Sequence, residues 1–150
     1  MGPLAVGEVA PPVPGVAFED GPTGLFFYKV TCPTCQMAAP TMHVFADAFP
    51  RRVFGIGQDP ADELERFSDE YEIRISSIED PPPYPVSDAY GIVSVPTLFL
   101  IGTDGHVLDV VGAWDRLGFN RVAATLAEMT GTGSVVVSSP DDGRPAFKPG

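Results

Sequence analysis

Hydrophobic and polar positions alternate along this chain in a way that sorts it into short elements. Residues 24–30, GLFFYKV, form a nearly continuous apolar run, the pattern of a strand buried on both faces. From Pro33 to Phe49, the positions Met37, Thr41, Val44, Phe45 and Ala48 recur at helical spacing. RVFGIG, 52–57, reads as a second strand. DPADELERFSDEY, 59–71, reads as a helix with Asp59 as N-cap, Pro60 at its first position, and Leu64, Phe67 and Tyr71 along one side. A strand, a helix and a strand in that order imply a right-handed parallel unit. IRISSI, 73–78, predicts a short strand before the proline loop EDPPPYPV. VPTLFLIG and HVLDVVGA then predict a hairpin turned by TDG. Asp115 can cap a last helix carrying Phe119, Val122, Leu126 and Met129, which stops at Gly131.

The order βαβα followed by ββα predicts one α/β domain over residues 1–131, a mixed sheet with helices on both faces and an extended Pro- and Gly-rich lead-in over 1–23. The remainder, 132–150, is expected to be a tail: a short strand in SVVVSSP, followed by disorder. A chain of 150 residues is long enough to bury a core without crosslinks.

Both cysteines lie in KVTCPTCQMAAP, two residues apart, where the first strand hands over to the first helix. A crosslink closing so short a loop removes little chain entropy, so the pair calls for a chemical or a metal-binding explanation. Cys32 falls at the helix N-terminus, where free N–H groups and the helix dipole favour a thiolate, the attacking species. Cys35, one turn in, is more enclosed and placed to attack a mixed disulfide formed on Cys32. Zinc needs four ligands. His43 lies eight residues past Cys35, about 12 Å along a helix at 1.5 Å per residue, so it cannot share a metal with that thiol. His106, in the hairpin, has no evident partner. The sequence therefore predicts redox chemistry with no metal and no cofactor.

Composition narrows the partners. A net charge of −11 argues against nucleic acid and anionic membrane, because like charge repels the phosphate layer. No window approaches the ~18 unbroken apolar residues of a membrane span. The first residues carry neither a basic region nor an apolar stretch of the secretory type, so the expected location is the cytoplasm, or the periplasm if a leader was removed.

With these elements in place, the chain resembles the thioredoxin-like superfamily. CPTCQMAAP is similar to that family's active-site dithiol, with its following Met and a proline five residues after the second cysteine. SVPTLFLIGTDGHVLDVVGA, 94–113, is similar to the family segment in which a cis-proline opens a hairpin. The lead-in and the helix at 59–71 look more like the redoxin and TlpA-like branch than like minimal thioredoxin. The resemblance spans roughly residues 6–130 and implies a three-layer fold. It also implies a redox-active disulfide between Cys32 and Cys35, and a cis bond at Val95–Pro96. The implied substrate groove is built from Thr31, Pro33, Thr34, Val95, Pro96 and Gly112.

The chain departs from the family at three places. Thr31 stands where thioredoxins carry Trp. Phe26 stands where they carry the buried Asp that takes the proton of the second cysteine. Pro33 and Thr34 replace the Glu that TlpA-like reductases often place between the cysteines. No carboxylate can be assigned to Cys35 from the sequence. His43 is expected to pair with Asp47 one turn on, and Trp114 to serve packing.

Three function classes follow. The leading one is a thiol–disulfide oxidoreductase in which Cys32 attacks, Cys35 resolves, and the main chain at Val95 pairs with substrate. Its partners would be protein disulfides or small thiols and an upstream thiol reductant. A peroxiredoxin-like thiol peroxidase is the second class, but that chemistry needs Thr or Ser three residues before the peroxidatic cysteine. Lys29 stands there before Cys32, and Cys32 itself before Cys35. The third, a copper-binding protein of the same fold, generally spaces its cysteines by three residues. The resemblance also bears on the potential: Pro33 stands second, as in glutaredoxin-like sites, and Thr34 lacks the positive charge of the histidine in strongly oxidising relatives. This implies a reduction potential between those of protein disulfide isomerase and thioredoxin, about −180 to −270 mV, and the direction of a reductase.

Overall fold

The structure is a computed structural model that describes residues 2–73 and 75–150. Five strands form the central sheet: β1 (Thr23–Tyr28), β2 (Val53–Gly57), β3 (Ser76–Glu79), β4 (Thr97–Ile101) and β5 (Val107–Gly112). Their spatial order is β3-β2-β1-β4-β5. β1, β2 and β3 run parallel, while β4 is antiparallel to both β1 and β5. The mixed sheet is the one the sequence predicts. Every residue of β1 is buried, as expected of a central strand with its apolar run covered on both sides.

Helices lie around this sheet: α1 (Pro33–Ala48), α2 (Ala61–Tyr71), α3 (Pro85–Ala89) and α4 (Arg116–Thr130). Phe26 and Tyr28 point to one side, where Phe26 meets Phe119 of α4 edge-on and Tyr28 stacks on Phe67 of α2. Phe27 points to the other, against Phe99 and against Tyr90 at the end of α3. Among the described residues no helix is long and apolar enough to cross a membrane.

Several local expectations shift. β1 ends at Tyr28 rather than residue 30, because Lys29 is exposed. In α1 the buried face is Thr34, Cys35, Ala38, Ala39, Thr41, Met42 and Phe45, one step round from the expected stripe. Met129 is exposed at the end of α4. Asp59 does not cap α2, whose N-cap is Pro60. The strand expected over 73–78 starts at Ser76; Arg74 lies outside the described residues. The proline loop holds a short helix the sequence reading missed: both carboxylate oxygens of buried Asp80 accept main-chain N–H bonds, from Val86 at 3.0 Å and Ser87 at 2.8 Å. Asp115 caps α4 through Gly118 N–H, and Gly131 closes it with φ of 69°, the left-handed turn that glycine takes without strain.

The two ends of the chain are built on this frame. The lead-in crosses the β4–β5 hairpin, with Gly7 N–H donating to Val107 and Ala10 N–H to Gly105. The tail behaves differently from the expectation. No strand forms in 134–140; instead β6 (Trp114–Asp115) pairs antiparallel with β7 (Phe147–Lys148). The tail is fixed by polar groups that hydrophobic periodicity does not register. Val137 and Ser138 N–H donate to the Asn120 side chain, the Trp114 indole donates to Pro145 carbonyl at 2.7 Å, and the Arg144 guanidinium donates to Met37 carbonyl at 2.9 Å.

Candidate active site

α1 starts where β1 ends, and that hand-over sets the two thiols apart. Cys32 is the N-cap, with extended backbone, and Pro33 fills the first helical position, where no N–H is required. The Cys35 N–H donates to Cys32 Sγ at 3.1 Å. The two cysteines are free thiols; Cys32 is half-buried and Cys35 fully buried. Cys32 Sγ also lies 3.6 Å from the Val95 carbonyl oxygen, to which its S–H donates. Burial pushes the Cys35 thiol far above its ordinary range, and its hydrogen bond with Cys32 adds to the shift. A backbone hydrogen bond with Lys29 works in the opposite direction. One sulfur is thus accessible and held by a helix-end amide, while the other is enclosed and strongly protonated.

The Val95–Pro96 bond is cis. A groove of about 410 Å³ runs beside Cys32, between Lys29, Thr31 and Pro33 on one side and Ile92–Val95 on the other. Of the groove residues the sequence names, Thr31, Pro33 and Val95 line it, beside the catalytic candidate Cys32. Thr34 is buried, and its hydroxyl donates to Pro149 carbonyl at 2.7 Å. Pro96 directly precedes β4, which starts at Thr97, and lies outside the groove lining. Gly112 stands at the far end of β5, opposite Thr97, outside the groove lining.

Sequence reasoning missed Asp59. Its Oδ2 accepts the Val30 N–H at 2.8 Å, and its negative charge is one of the influences that hold the Cys35 thiol protonated. The register explains its position. β1 and β2 are parallel with Tyr28 opposite Gly57, so the residues just past both strands emerge together at their carboxyl ends, where open α/β sheets place their sites. Parallel pairing of the two strands was the available signal; reading Asp59 as a cap concealed it. Gly150, at the end of the tail, also lines the groove and was not anticipated.

The histidines stand apart from the thiols. His43 pairs with Asp47 at 3.3 Å, as expected of an exposed helix face, and His106 has a partner the sequence did not indicate, Asp104 at 3.3 Å. Among the described residues, no three of His, Cys, Asp and Glu come together in a way that could hold a metal ion.

Comparison with known proteins agrees with this geometry. The AhpC/TSA family model matches residues 16–110. No curated protein matches the chain. Among solved structures, DsbF of Mycobacterium tuberculosis, solved in mixed oxidised and reduced forms, is 26% identical with a TM-score of 0.61, covering 71% of this chain and 81% of that one. A thiol:disulfide interchange protein from Bacteroides sp. is 17% identical with a TM-score of 0.68, covering 94% and 96%. A secreted M. tuberculosis disulfide oxidoreductase, described as homologous to E. coli DsbE, is 21% identical with a TM-score of 0.57, covering 71% and 81%. The family match spans more than half of the chain and the fold is shared with thioredoxin-like proteins, so this chain belongs to the AhpC/TSA family, as an oxidoreductase of its thioredoxin-like redoxin branch.

Proposed function

We propose that the protein is a disulfide reductase working through the Cys32–Cys35 dithiol. The observation that carries this reading is the asymmetry of the pair: a half-buried sulfur that accepts the Cys35 N–H at 3.1 Å and opens on a groove, backed by a fully buried thiol. Cys32, as thiolate, attacks one sulfur of a substrate disulfide; the substrate S–S bond breaks, and its other sulfur leaves with a proton. Cys35 then loses its proton and attacks Cys32, releasing the second substrate sulfur and closing the Cys32–Cys35 disulfide. Two electrons and two protons pass to the substrate, and an upstream thiol reductant must return them.

Substrates are disulfides of proteins or small thiols, and the Val95 main chain offers an extended substrate backbone a partner. The potential decides the direction. Near −180 mV the dithiol is mostly reduced even at a cytosolic glutathione poise of about −220 mV, and near −270 mV it is mostly reduced at a poise of about −300 mV. In its reduced form it acts as a reductase, whereas near −120 mV it would act as an oxidase suited to an oxidising compartment. Lys29 stands where a peroxidase of this family would need a hydroxyl to activate peroxide, which disfavours the peroxidase reading.

Insulin reduction by dithiothreitol, run beside peroxide consumption, tests this. Catalysed insulin precipitation with background peroxide consumption is expected, with Cys32→Ser at background and Cys35→Ser accumulating a mixed disulfide. Peroxide turnover that depends on Cys32, with no insulin reduction, would overturn the reading. Iodoacetamide should label Cys32 well before Cys35, since burial both shields Cys35 and keeps it protonated. Labelling of Cys35 first would reverse the roles.

A further inference from the structure

The tail returns to the groove, and its last residues lie where a substrate backbone would. Three anchors outside the groove bring it there: the Arg144 guanidinium on Met37 carbonyl, the Trp114 indole on Pro145 carbonyl, and the β6–β7 pairing. Beyond β7, the Pro149 carbonyl accepts the Thr34 hydroxyl at 2.7 Å. Residue 150 lies against the Val95 carbonyl, the group that also accepts the Cys32 thiol hydrogen bond. A Cβ placed on residue 150 would sit 1.8 Å from the Val95 oxygen and 2.7 Å from its carbonyl carbon. Both are main-chain atoms that cannot turn aside, so only glycine fits this approach.

We propose that residues 144–150 are a strap that fills the backbone-pairing side of the groove and selects substrates by size. The proposal rests on the disulfide-reductase reading, which supplies Val95 as the pairing group. Small disulfides reach Cys32 through the open side, past Lys29 and Ile92. An extended polypeptide must first displace Pro149 and Gly150 to pair with Val95. Its apparent affinity is then reduced by the fraction of molecules in which the strap is off. Thr34 and Gly150 are the specificity-determining contacts, one holding the strap and the other permitting its close approach.

The test uses the full-length chain and two variants that loosen the strap from different places. Gly150→Ala forces it off Val95, and Arg144→Ala removes its hold on Met37 outside the groove. Cys32 is alkylated with iodoacetamide and, separately, with a maleimide on a 5 kDa polyethylene glycol chain (a reagent size on the order of a small protein substrate). In both variants the bulky reagent should react about fivefold faster, the scale of one lost neutral hydrogen bond, while iodoacetamide changes by less than twofold. In Arg144→Ala, whose change lies outside the groove, insulin reduction should rise by a similar factor and reduction of 2-hydroxyethyl disulfide should not. An unchanged bulky-to-small ratio in both variants would overturn the strap. If neither the parent protein nor the variants reduce insulin but the ratio still rises, the reductase reading fails and the strap stands.

Discussion

The body of the molecule and its tail are held by opposite kinds of force. In the body, β1 lies entirely buried, with Phe26, Phe27 and Tyr28 packed against rings from α2, α3 and β4, and from α4. In the tail, Val137 is the only hydrophobic residue of 132–150 that is buried, and Phe147 is exposed. Fixation there comes from buried Arg116, which donates to the Ser138 hydroxyl at 3.1 Å and to Arg144 carbonyl at 2.6 Å, and pairs with Asp142. Apolar burial is cooperative and spread over many contacts, whereas a polar clasp depends on a few groups whose loss leaves partners unpaired. Two regions of one fold are therefore expected to fail separately.

The largest effect should come from the body. Phe27 is fully buried and packs on Tyr90 and Phe99, on the face away from the tail anchors. Phe27→Ala removes that packing and leaves a cavity, a loss of about 3–5 kcal/mol out of a total stability on the order of 5–15 kcal/mol. For a domain of this length that corresponds to a fall in melting temperature of roughly 6–20 °C, read by calorimetry or circular dichroism. A fall of less than 2 °C would mean that apolar packing on this face does not dominate the body, and the contrast would collapse.

A smaller and more local effect is expected at the clasp. Arg116→Met keeps much of the buried stem but leaves the Arg144 carbonyl without its donor and takes one of several partners from the Ser138 hydroxyl and from Asp142, at a cost of about 1–3 kcal/mol. The loss should be confined to the tail. Hydrogen exchange in residues 133–150 should quicken by about 5- to 160-fold, the range that cost implies, while β1 amides keep their protection. Equal loss of protection in β1 would show that tail and body form one cooperative unit.

The same contrast explains what could be read from the sequence. The run GLFFY, the TDG hairpin, the Asp115 cap and the CPTC hand-over are local signals, each carried by a few adjacent residues whose pattern states the outcome. The sequence order also predicts the mixed sheet, because short connections restrict topology. What escaped the reading depends on partners far apart in the chain. Asp59 reaches Val30 across parallel strands, and Arg144 reaches Met37. SVVVSSP has the composition of a strand, yet Ser138 is drawn into the polar clasp and Val137 N–H is taken by Asn120, so its main chain finds side-chain partners instead of a sheet edge. Composition states a preference, and tertiary partners decide it.

The smallest effect, and the sharpest separation of the two regions, should come from acid. The Ser138 hydroxyl, which donates to Asp142 at 2.5 Å, is the main reason the Asp142 carboxyl sits well below the usual carboxylate range, and the Arg144 N–H and guanidinium push it the same way. A carboxyl depressed in the docked state and near 3.9 when free stabilises docking fully above about pH 4, and that contribution is lost as pH falls further, because the free tail binds the proton more readily. The tail should therefore loosen below about pH 4 while the body stays folded. Trp114 reports on it, since its indole donates to Pro145 within the docked segment. Its fluorescence should change as pH falls below about 4, before the far-ultraviolet circular dichroism does, and Asp142→Asn, which carries no titrating group, should flatten the early change. If the two signals move together in the parent protein and are unaltered in Asp142→Asn, acid acts on the body alone and the tail clasp is not the weaker region.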